Sequence, residues 1–467
     1  MNVLLIHSDS HRYDCLGSSG LRPCVHTPSL DRLASGGAAF THAFSTSPVC
    51  TPARASLLTG AWPSAHGCFS IPSSELNRSA RPELPVLTRL LADRGYRVAW
   101  TGEFHQELEH PPSREYGVEE FVGLSGYREF RQKHGIPPAM RPHGFFGDAD
   151  LGCPPELSSP AWQADHVIRQ IDERRGEPFF IRWDPPEPHL PYSPTRPFAE
   201  LFAEANLPPW TSFPDSIDGK PAILRRQRRI WGVENWTWRD WLPVVRLYHS
   251  FVAELDRHIG RVLDHLDARG LSGETLVIYS TDHGDFCGGH GLMDKHFTMY
   301  DDILRVPLIL RWPGRIPAGG RCDAFVSNSI DIARTILSAA GVDAPGSFAG
   351  QDLVSIINDP AAPRRPYAYS QYYGTESGAC SVRMLRDRRH KFIYHPTGQR
   401  HEFYDLQADP GELRNLIDDP ALAADIARFE HDLWDTMKAS GDRLASIWTR
   451  MELQGTPSIA ARLGMEK

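Results

Sequence analysis

The chain has 467 residues, of which 41% are hydrophobic and 10% aromatic, a composition that excludes a disordered protein and allows a large buried core. Its 50 basic and 58 acidic residues give a net charge of −8, which argues against a protein that binds nucleic acid by neutralising phosphates. The eight cysteines form no CxxC pair, which argues against a zinc ribbon and against a disulfide framework.

The N-terminus lacks the charged and apolar regions of a secretory leader and enters a short apolar segment at residues 3–6, which predicts a buried strand. No segment is apolar over the 18 residues that a membrane-spanning helix requires. We therefore expect a cytoplasmic protein that has no membrane partner.

Apolar strands alternate with amphipathic helices from residue 3 to residue 280. Thr27 and Pro28 have the residue types of an N-cap and a first helical position, and Gly95 and Gly270 mark helix ends. This order predicts an α/β fold in which helices cover both faces of a mostly parallel sheet. Strands are predicted at 3–6, 97–100, 178–183 and 276–280, and helices at 26–33, 87–94, 161–175 and 248–267.

Two later regions depart from this alternation. Residues 190–247 contain many prolines, five tryptophans and an arginine run at 225–229, which indicates an insertion near the site. We expect its tryptophans to pack inside it, with a substrate wall as the alternative, and its arginines to lie on a solvated helix face. From about residue 360, short strands and a helix near 421–438 predict a smaller antiparallel unit. The predicted domains are a catalytic domain, 1–355, and a smaller C-terminal α+β domain, 356–467.

Polar residues follow the predicted strands at the points where ligands bind in parallel α/β sheets. Asp9 follows the first strand, and Asp282 and His283 follow the strand at 276–280. His105 comes shortly after the predicted strand at 97–100, and His189 comes shortly after the predicted strand at 178–183. We expect these side chains to converge at one edge of the sheet.

The sharpest local motif is C-x-P-x-R at residues 50–54. Pro52 favours a helix start and Gly60 a helix end, so Cys50 is expected at a helix N-terminus, which stabilises anions and anionic transition states. A buried structural cysteine before a helix is the alternative interpretation of the motif alone.

In this setting the chain resembles the type I, formylglycine-dependent sulfatases of the alkaline phosphatase superfamily, and the resemblance covers nearly the whole chain. The motifs occur in the order typical of that family. They lie at residues 9–17, 27–33, 40–44, 50–60, 188–191, 281–284, 289–292, 295 and 403–416.

The resemblance implies a specific chemistry at Cys50. A formylglycine-generating maturation enzyme would oxidise the thiol to Cα-formylglycine, which hydrates to a gem-diol. One hydroxyl would attack the sulfur of a sulfate ester, and the second would then lose its proton so that sulfate leaves and the aldehyde is restored. The encoded thiol is not expected to be the nucleophile.

The resemblance also implies roles for the other candidate residues. One divalent metal would be held by Asp9, Asp282, His283 and the modified Cys50, and calcium is expected, with manganese or magnesium as alternatives. A metal and a base are needed because a gem-diol is a weak nucleophile at neutral pH.

Four further residues are expected to serve catalysis. Arg54, one helical turn after the cysteine, would hold the modified side chain and the metal-site charge. Lys295 would bind a sulfate oxygen as a point charge. His189 is expected to be the general acid for the leaving alcohol and His105 to transfer a proton from the gem-diol, although the sequence does not fix which histidine performs which step.

Two positions depart from the family pattern. Ser10 stands where a second acid is common, and Glu103 stands where a lysine is often found. Loss of that lysine should weaken anion binding. Glu103 is expected to bind substrate, either by facing a cationic part of it or by replacing the carboxylate missing at position 10.

These departures keep two alternatives open. Some branches of the family that lack the second acid hydrolyse phosphonate monoesters or phosphodiesters, and the same groups can stabilise a phosphoryl transition state. A non-catalytic, metal-stabilised binding protein is the second alternative, in which Cys50 is never oxidised. We predict a sulfuric ester hydrolase that acts on a small sulfate ester.

Overall fold

The computed structural model describes residues 1–71, 79–105, 107–138, 144–174, 176–374 and 380–455. The strands are β1 Asn2–Ser8, β2 Ala38–Phe40, β3 Ala43–Phe44, β4 Arg97–Gly102, β5 Glu120–Gly123, β6 Phe179–Asp184, β7 Thr275–Thr281, β8 Leu308–Arg311, β9 Gly320–Cys322, β10 Val326–Ser327, β11 Ala368–Gly374, β12 Cys380–Arg386, β13 His390–Tyr394 and β14 Glu402–Asp405. The α-helices are α1 Pro28–Ser35, α2 Cys50–Thr59, α3 Pro63–His66, α4 Leu87–Asp93, α5 Ser125–Lys133, α6 Ser159–Glu173, α7 Arg196–Leu201, α8 Ala222–Trp231, α9 Trp238–Ala268, α10 Asp301–Leu304, α11 Asn328–Ala339, α12 Leu353–Asn358, α13 Ala423–Ala439 and α14 Ile447–Leu453.

The largest described sheet has the strand order β5-β4-β6-β1-β7-β8-β2-β9. The five strands β5, β4, β6, β1 and β7 are parallel to one another, and β8 runs antiparallel to both β7 and β2. The prediction of a mostly parallel sheet is therefore confirmed. The carboxyl ends of β4, β6, β1 and β7 lie side by side at one edge.

Strand β1 is buried on both faces because helices cover both sides of the sheet. Val3 and Leu5 belong to one apolar cluster, which α2, α4 and α11 complete with residues such as Leu58 and Ile336. The alternate residues of β1 belong to a second cluster, which α1, α6 and α9 complete. Apolar residues on both faces are typical of a parallel strand buried between helix layers.

Helix α9 is longer than the sequence indicated. The predicted start at residue 248 is wrong, because the helix begins at Trp238, within the segment taken as an insertion. Thr237 and Asp240 form a capping box at its start, and Pro243 lies inside it. Trp241 packs in the apolar cluster of this region, so the tryptophan-rich composition reflects a packed core at that position.

A four-stranded antiparallel sheet, β11-β12-β13-β14, forms the C-terminal part of the described chain. Helix α13 packs on it through Phe429 and Leu433, which contact Phe392 and Phe403 in one apolar cluster. The predicted antiparallel unit with a closing helix is confirmed, whereas the domain boundary after residue 355 remains a prediction. Among the described helices, none combines the length and apolar character that crossing a bilayer requires.

Asp256 of α9 holds the beginning of α1, and its removal is expected to destabilise the fold. Its carboxylate accepts hydrogen bonds from the backbone N–H groups of Ser29 at 2.9 Å and Leu30 at 2.8 Å. The variant Asp256→Ala leaves two helix-start donors unsatisfied, so its free energy of unfolding should fall by about 3 kcal/mol. Chemical denaturation measures this loss.

Asp264 provides the matched control on the same two helices. It pairs with Arg32 of α1 at 2.6 Å, but both side chains are about half exposed. The variant Asp264→Ala should therefore lose less than about 1 kcal/mol. Equal losses in the two variants would contradict the proposed role of Asp256.

Candidate active site

Neighbouring strands deliver acidic side chains to the same edge of the sheet. Asp9 directly follows β1, Asp184 ends β6, and Asp282 and His283 directly follow β7. Cys50 is the first residue of α2, as the motif at 50–54 predicts. The expected convergence of these distant segments is present in the structure.

Asp9, Asp282 and His283 form a cluster of ligand types suited to a divalent cation. His283 Nε2 lies 3.8 Å from an Asp9 oxygen and 3.7 Å from an Asp282 oxygen. Cys50 Sγ, Asp282 and His283 have ligand atoms within 4.8 Å of one another, and so do Asp9, Cys50 and His105. These distances would allow one ion to contact several of the side chains together.

The surroundings of His283 test whether the cluster fits a cation. Its Nδ1 lies 2.7 Å from the carbonyl oxygen of Gly284, which can only accept, so the proton belongs on Nδ1. Its Nε2 is buried and has no hydrogen-bond partner among the described residues. Burial lowers the pKa of His283 to about 3, which keeps the ring neutral. A neutral imidazole with a free lone pair facing two carboxylates fits a metal ligand.

Arg54 connects three carboxylates of the cluster and is completely buried. Its Nε donates to Asp282 at 2.9 Å and its Nη2 to Asp9 at 3.1 Å. Its Nη1 lies 3.3 Å from Asp184. Although burial lowers the pKa of Arg54, these carboxylates hold it well above its usual value, so the guanidinium stays charged.

A second buried ion pair extends this network behind the site. Arg182 Nη2 lies 2.6 Å from Asp184 and 3.6 Å from Glu107, and its guanidinium covers the ring of Trp100 at 3.8 Å. Glu107 in turn accepts the backbone N–H of His105 at 2.7 Å. Together with Arg54, this network runs from the ligand cluster to the backbone of a candidate catalytic histidine.

The charges of the network favour a dication. Four buried carboxylates, those of Asp9, Asp184, Asp282 and Glu107, face two guanidinium groups. One divalent cation would balance the two excess negative charges. Burial raises the pKa of Asp282 to about 7, and a cation at this position would favour its ionised form.

Cys50 itself is a poor nucleophile as encoded. Burial raises the pKa of its thiol to about 12, even though Lys295 acts in the opposite direction. The thiol is therefore protonated at neutral pH, and a protonated thiol reacts slowly. The expectation that the unmodified thiol is not the nucleophile agrees with this environment.

Lys295 and His189 are in direct contact beside the cluster, and His189 also lines the neighbouring cavity. The ammonium group of Lys295 contacts Nε2 of His189 and lies 3.5 Å from Asp294. Nδ1 of His189 lies 2.7 Å from the carbonyl of Leu190, which assigns the proton to that nitrogen. Burial and the neighbouring ammonium lower the pKa of His189, so it is neutral at pH 7.

Comparison with known proteins identifies the family. The family profile described as Sulfatase matches residues 1–342, and the profile described as N-sulphoglucosamine sulphohydrolase, C-terminal, matches residues 288–439. The chain belongs to the sulfatase family. It is thus a hydrolase of the alkaline phosphatase superfamily with a sulfatase-like fold.

Individual relatives of this sulfatase-family enzyme are distant. It is 28% identical to the uncharacterized sulfatase YidJ of Escherichia coli strain K12, over 92% of this chain and 86% of that protein. It is 26% identical to the multifunctional alkaline phosphatase superfamily protein PehA of Trinickia caryophylli, over 91% and 92%. A solved phosphonate monoester hydrolase, SpPMH from Silicibacter pomeroyi, has a TM-score of 0.83 at 24% identity, over 96% and 97%.

In this sulfatase-family enzyme, Ser10 takes the place of the second acid without acting as a ligand of the same kind. Its hydroxyl donates to Asp9 at 2.8 Å and its N–H donates to Asp282 at 3.2 Å. Glu103 belongs to neither group of converging ligand atoms found among the described residues. The hypothesis that Glu103 replaces the missing carboxylate is therefore not favoured.

Glu103 instead lines a cavity of about 410 Å³ that opens beside the cluster. Asp9, His105 and His189 form part of the same wall. Burial raises the pKa of Glu103 to about 7 and lowers that of His105 well below its usual value. His105 Nε2 lies 3.5 Å from Asp9, which places His105 between the ligand cluster and the cavity.

Sequence reasoning missed Asp184, Arg182 and Glu107. Asp184 directly follows the predicted strand at 178–183, and Asp9 also follows a predicted strand, so the position of Asp184 at the sheet edge was a usable signal. Arg182 is a charged residue within an otherwise apolar strand, which indicates a buried ion pair. Glu107 lies in a loop beyond the strand, and no local pattern indicates its burial.

Proposed function

We propose that this enzyme hydrolyses sulfate esters, with the residue at position 50 modified to formylglycine and one divalent cation bound beside it. The observation that carries this proposal is the position of Cys50. This residue begins α2, and its Sγ lies within 4.8 Å of ligand atoms of Asp282 and His283. A side chain there can be both a metal ligand and the group that attacks the ester.

The donor set supports a hard cation. Asp9 and Asp282 offer oxygens and His283 offers one nitrogen, and we expect calcium, with manganese or magnesium as alternatives. Such a cation, when bound, would polarise the attacking oxygen and the oxygens of the ester group. Arg54 would keep both carboxylates oriented towards the ion through its hydrogen bonds to them.

Lys295 and His189, which contact each other, fit the leaving-group half of the reaction. Lys295 would bind a sulfate oxygen with its ammonium group. The anionic ester would favour the protonated form of His189, which would take up a proton at Nε2 and deliver it to the alcohol oxygen as the sulfur–oxygen bond breaks. His105 would accept a proton from the hydroxyl group of residue 50. Overall, the ester and water give an alcohol and hydrogen sulfate.

Phosphonate monoester or phosphodiester hydrolysis is the second candidate function. Ser10 favours it, because the ligand cluster then carries one carboxylate fewer than the usual sulfatase pattern. The same cluster and the same ammonium group can stabilise a phosphoryl transition state.

A panel of esters distinguishes these candidates. The purified enzyme is assayed on aryl sulfates, phenylphosphonate monoesters and phosphodiesters, and its metal content is measured. Mass spectrometry of the peptide that contains position 50 should show a mass about 18 Da below the cysteine form, as thiol-to-aldehyde conversion requires. Preference for phosphonate esters would favour the second candidate, and an unmodified cysteine without turnover would favour a binding protein.

The variant Lys295→Ala is expected to raise KM and to lower kcat/KM by about 100-fold, because the anionic ester loses its buried ammonium partner. The variant Lys220→Ala is unsuitable as a control because Lys220 is also buried in an ion pair. Lys438, an exposed residue near the end of α13, offers a control, and Lys438→Ala should leave both constants unchanged. Steady-state kinetics on the best ester measure the effect, and an unchanged KM would contradict the assigned role.

A further inference from the structure

The cavity beside the ligand cluster is large enough for the alcohol part of a small ester. It measures about 410 Å³ and begins at Asp9, His105 and His189. Because His189 would protonate the leaving oxygen, the group attached to that oxygen would extend into this cavity. The chemistry of the cavity walls therefore bears on the substrate class, an inference that rests on the proposed ester hydrolysis.

Among the residues that the structure describes, the charges lining the cavity are strongly unbalanced. Arg131 is the one lysine or arginine among the described lining residues, and it already pairs with Asp150. Asp9 pairs with Arg54 behind the wall. Three further carboxylates line the cavity without an ion pair to any described residue, those of Glu103, Glu187 and Glu254.

Neutral donors orient two of these carboxylates and supply no charge. Glu254 accepts the N–H of Thr195 at 2.9 Å and its hydroxyl at 2.8 Å. Glu187 accepts the side-chain amide of Gln163 at 3.2 Å. Both glutamates are almost fully buried, and such fixed carboxylates need a positive partner in order to be ionised there.

Glu103 lines the same wall as Asp9, His105 and His189. Its side chain has no hydrogen bond or ion pair with another residue that the structure describes, and it is only partly buried. Burial raises the pKa of Glu103 and of Glu254 to about 7. A cation in the cavity would favour the ionised form of both groups.

Apolar surfaces complete the cavity. The ring of Phe251 and the side chains of Leu190 and Pro160 line it together with the ring of Tyr127. A positive charge that carries methyl or methylene groups fits these walls, because the carboxylates attract the charge and the apolar side chains contact the carbon groups. Aromatic faces attract cations as well as apolar groups. A second anionic group on the substrate would instead be repelled by the carboxylates.

We propose that the alcohol released by this enzyme carries an alkylammonium group, which the cavity binds against Glu103, Glu187 and Glu254. The substrate is then a zwitterion, with its ester anion at Lys295 and the ligand cluster and its cation in the cavity. The carboxylate at position 103, which departs from the family pattern, selects for this class and against polyanionic esters.

A pair of alcohols of equal shape tests the cavity without catalysis. Binding of 2-(trimethylammonio)ethanol and of its neutral carbon isostere, 3,3-dimethylbutan-1-ol, is measured by calorimetry on the metal-loaded enzyme. The cationic alcohol should bind about tenfold more tightly. The variants Glu103→Gln and Glu187→Gln should each reduce this preference by about threefold or more, whereas Glu274→Gln, which alters an exposed glutamate at the opposite end of β7, should preserve it.

Kinetics on the sulfate esters of the same two alcohols separate this inference from the proposed function. A higher kcat/KM for the cationic ester, lost in Glu103→Gln, supports both. Equal binding and equal rates for the two members of the pair overturn the inference and leave ester hydrolysis standing. Hydrolysis of neither sulfate ester, with preferential binding of the cationic alcohol, overturns sulfate-ester hydrolysis and supports the cavity assignment.

Discussion

Replacement of Cys50 with alanine is expected to abolish ester hydrolysis and to leave the fold intact. Alanine has a good helix propensity at the start of α2, and removal of one buried thiol leaves only a small cavity. Without an oxidisable side chain, the attacking group and one metal ligand are both lost, so kcat should fall by about 10⁴-fold or more. Turnover of the best ester in the panel measures this effect.

A second cysteine variant controls for general effects of thiol removal. Cys322 is also buried but lies at the end of β9, on the edge strand of the sheet. The variant Cys322→Ala should keep full turnover and a similar denaturation midpoint. Undiminished turnover in Cys50→Ala would overturn the proposed function, whatever the control shows.

Replacement of Arg54 with methionine is expected to give the largest loss of stability. Methionine fills much of the same volume but leaves Asp9, Asp282 and Asp184 without their shared guanidinium. Breaking a buried ion pair by removing one partner costs about 3–5 kcal/mol, because the remaining charges stay buried. The free energy of unfolding in the presence of a chelator measures this cost.

Added calcium should restore part of the stability lost in Arg54→Met, because a dication can take over some neutralisation of the same carboxylates. The variant Arg196→Met removes an exposed pair with Glu200 and should cost less than about 1 kcal/mol. If Arg54→Met unfolds at the same denaturant concentration as this control, the three contacts do not stabilise the fold.

Much of the sheet was predictable because its strands are apolar on both faces. The segments at 3–6 and 276–280 are short apolar runs followed by polar residues, and both form central strands that end at the site. The motif at 50–54 likewise contains its own helix start, since Pro52 is favourable only near an N-terminus. Local patterns of this kind predict the folded strands and helices, because burial and backbone geometry act directly on the residues that form the pattern.

The buried network of Arg182 and Glu107 could not be derived in the same way. Its members contact each other across 75 positions of the chain, and each alone resembles an ordinary charged residue. Only the tertiary arrangement shows that they support His105 from behind. The early start of α9 was missed for a different reason. Tryptophans and a proline in its first turns have weak helix propensity, and packing against the neighbouring apolar cluster stabilises the helix there.

Helix α9 lines the cavity with some of its residues and holds helix α1 with another. Phe251 and Glu254 line the cavity, and Asp256, two positions further along, fixes the start of α1. Attempts to redesign substrate preference through α9 would therefore put the attachment of α1 at risk. Glu103 and Tyr127 line the same cavity from a loop and from a short peripheral helix, so directed evolution of new specificities should begin with them.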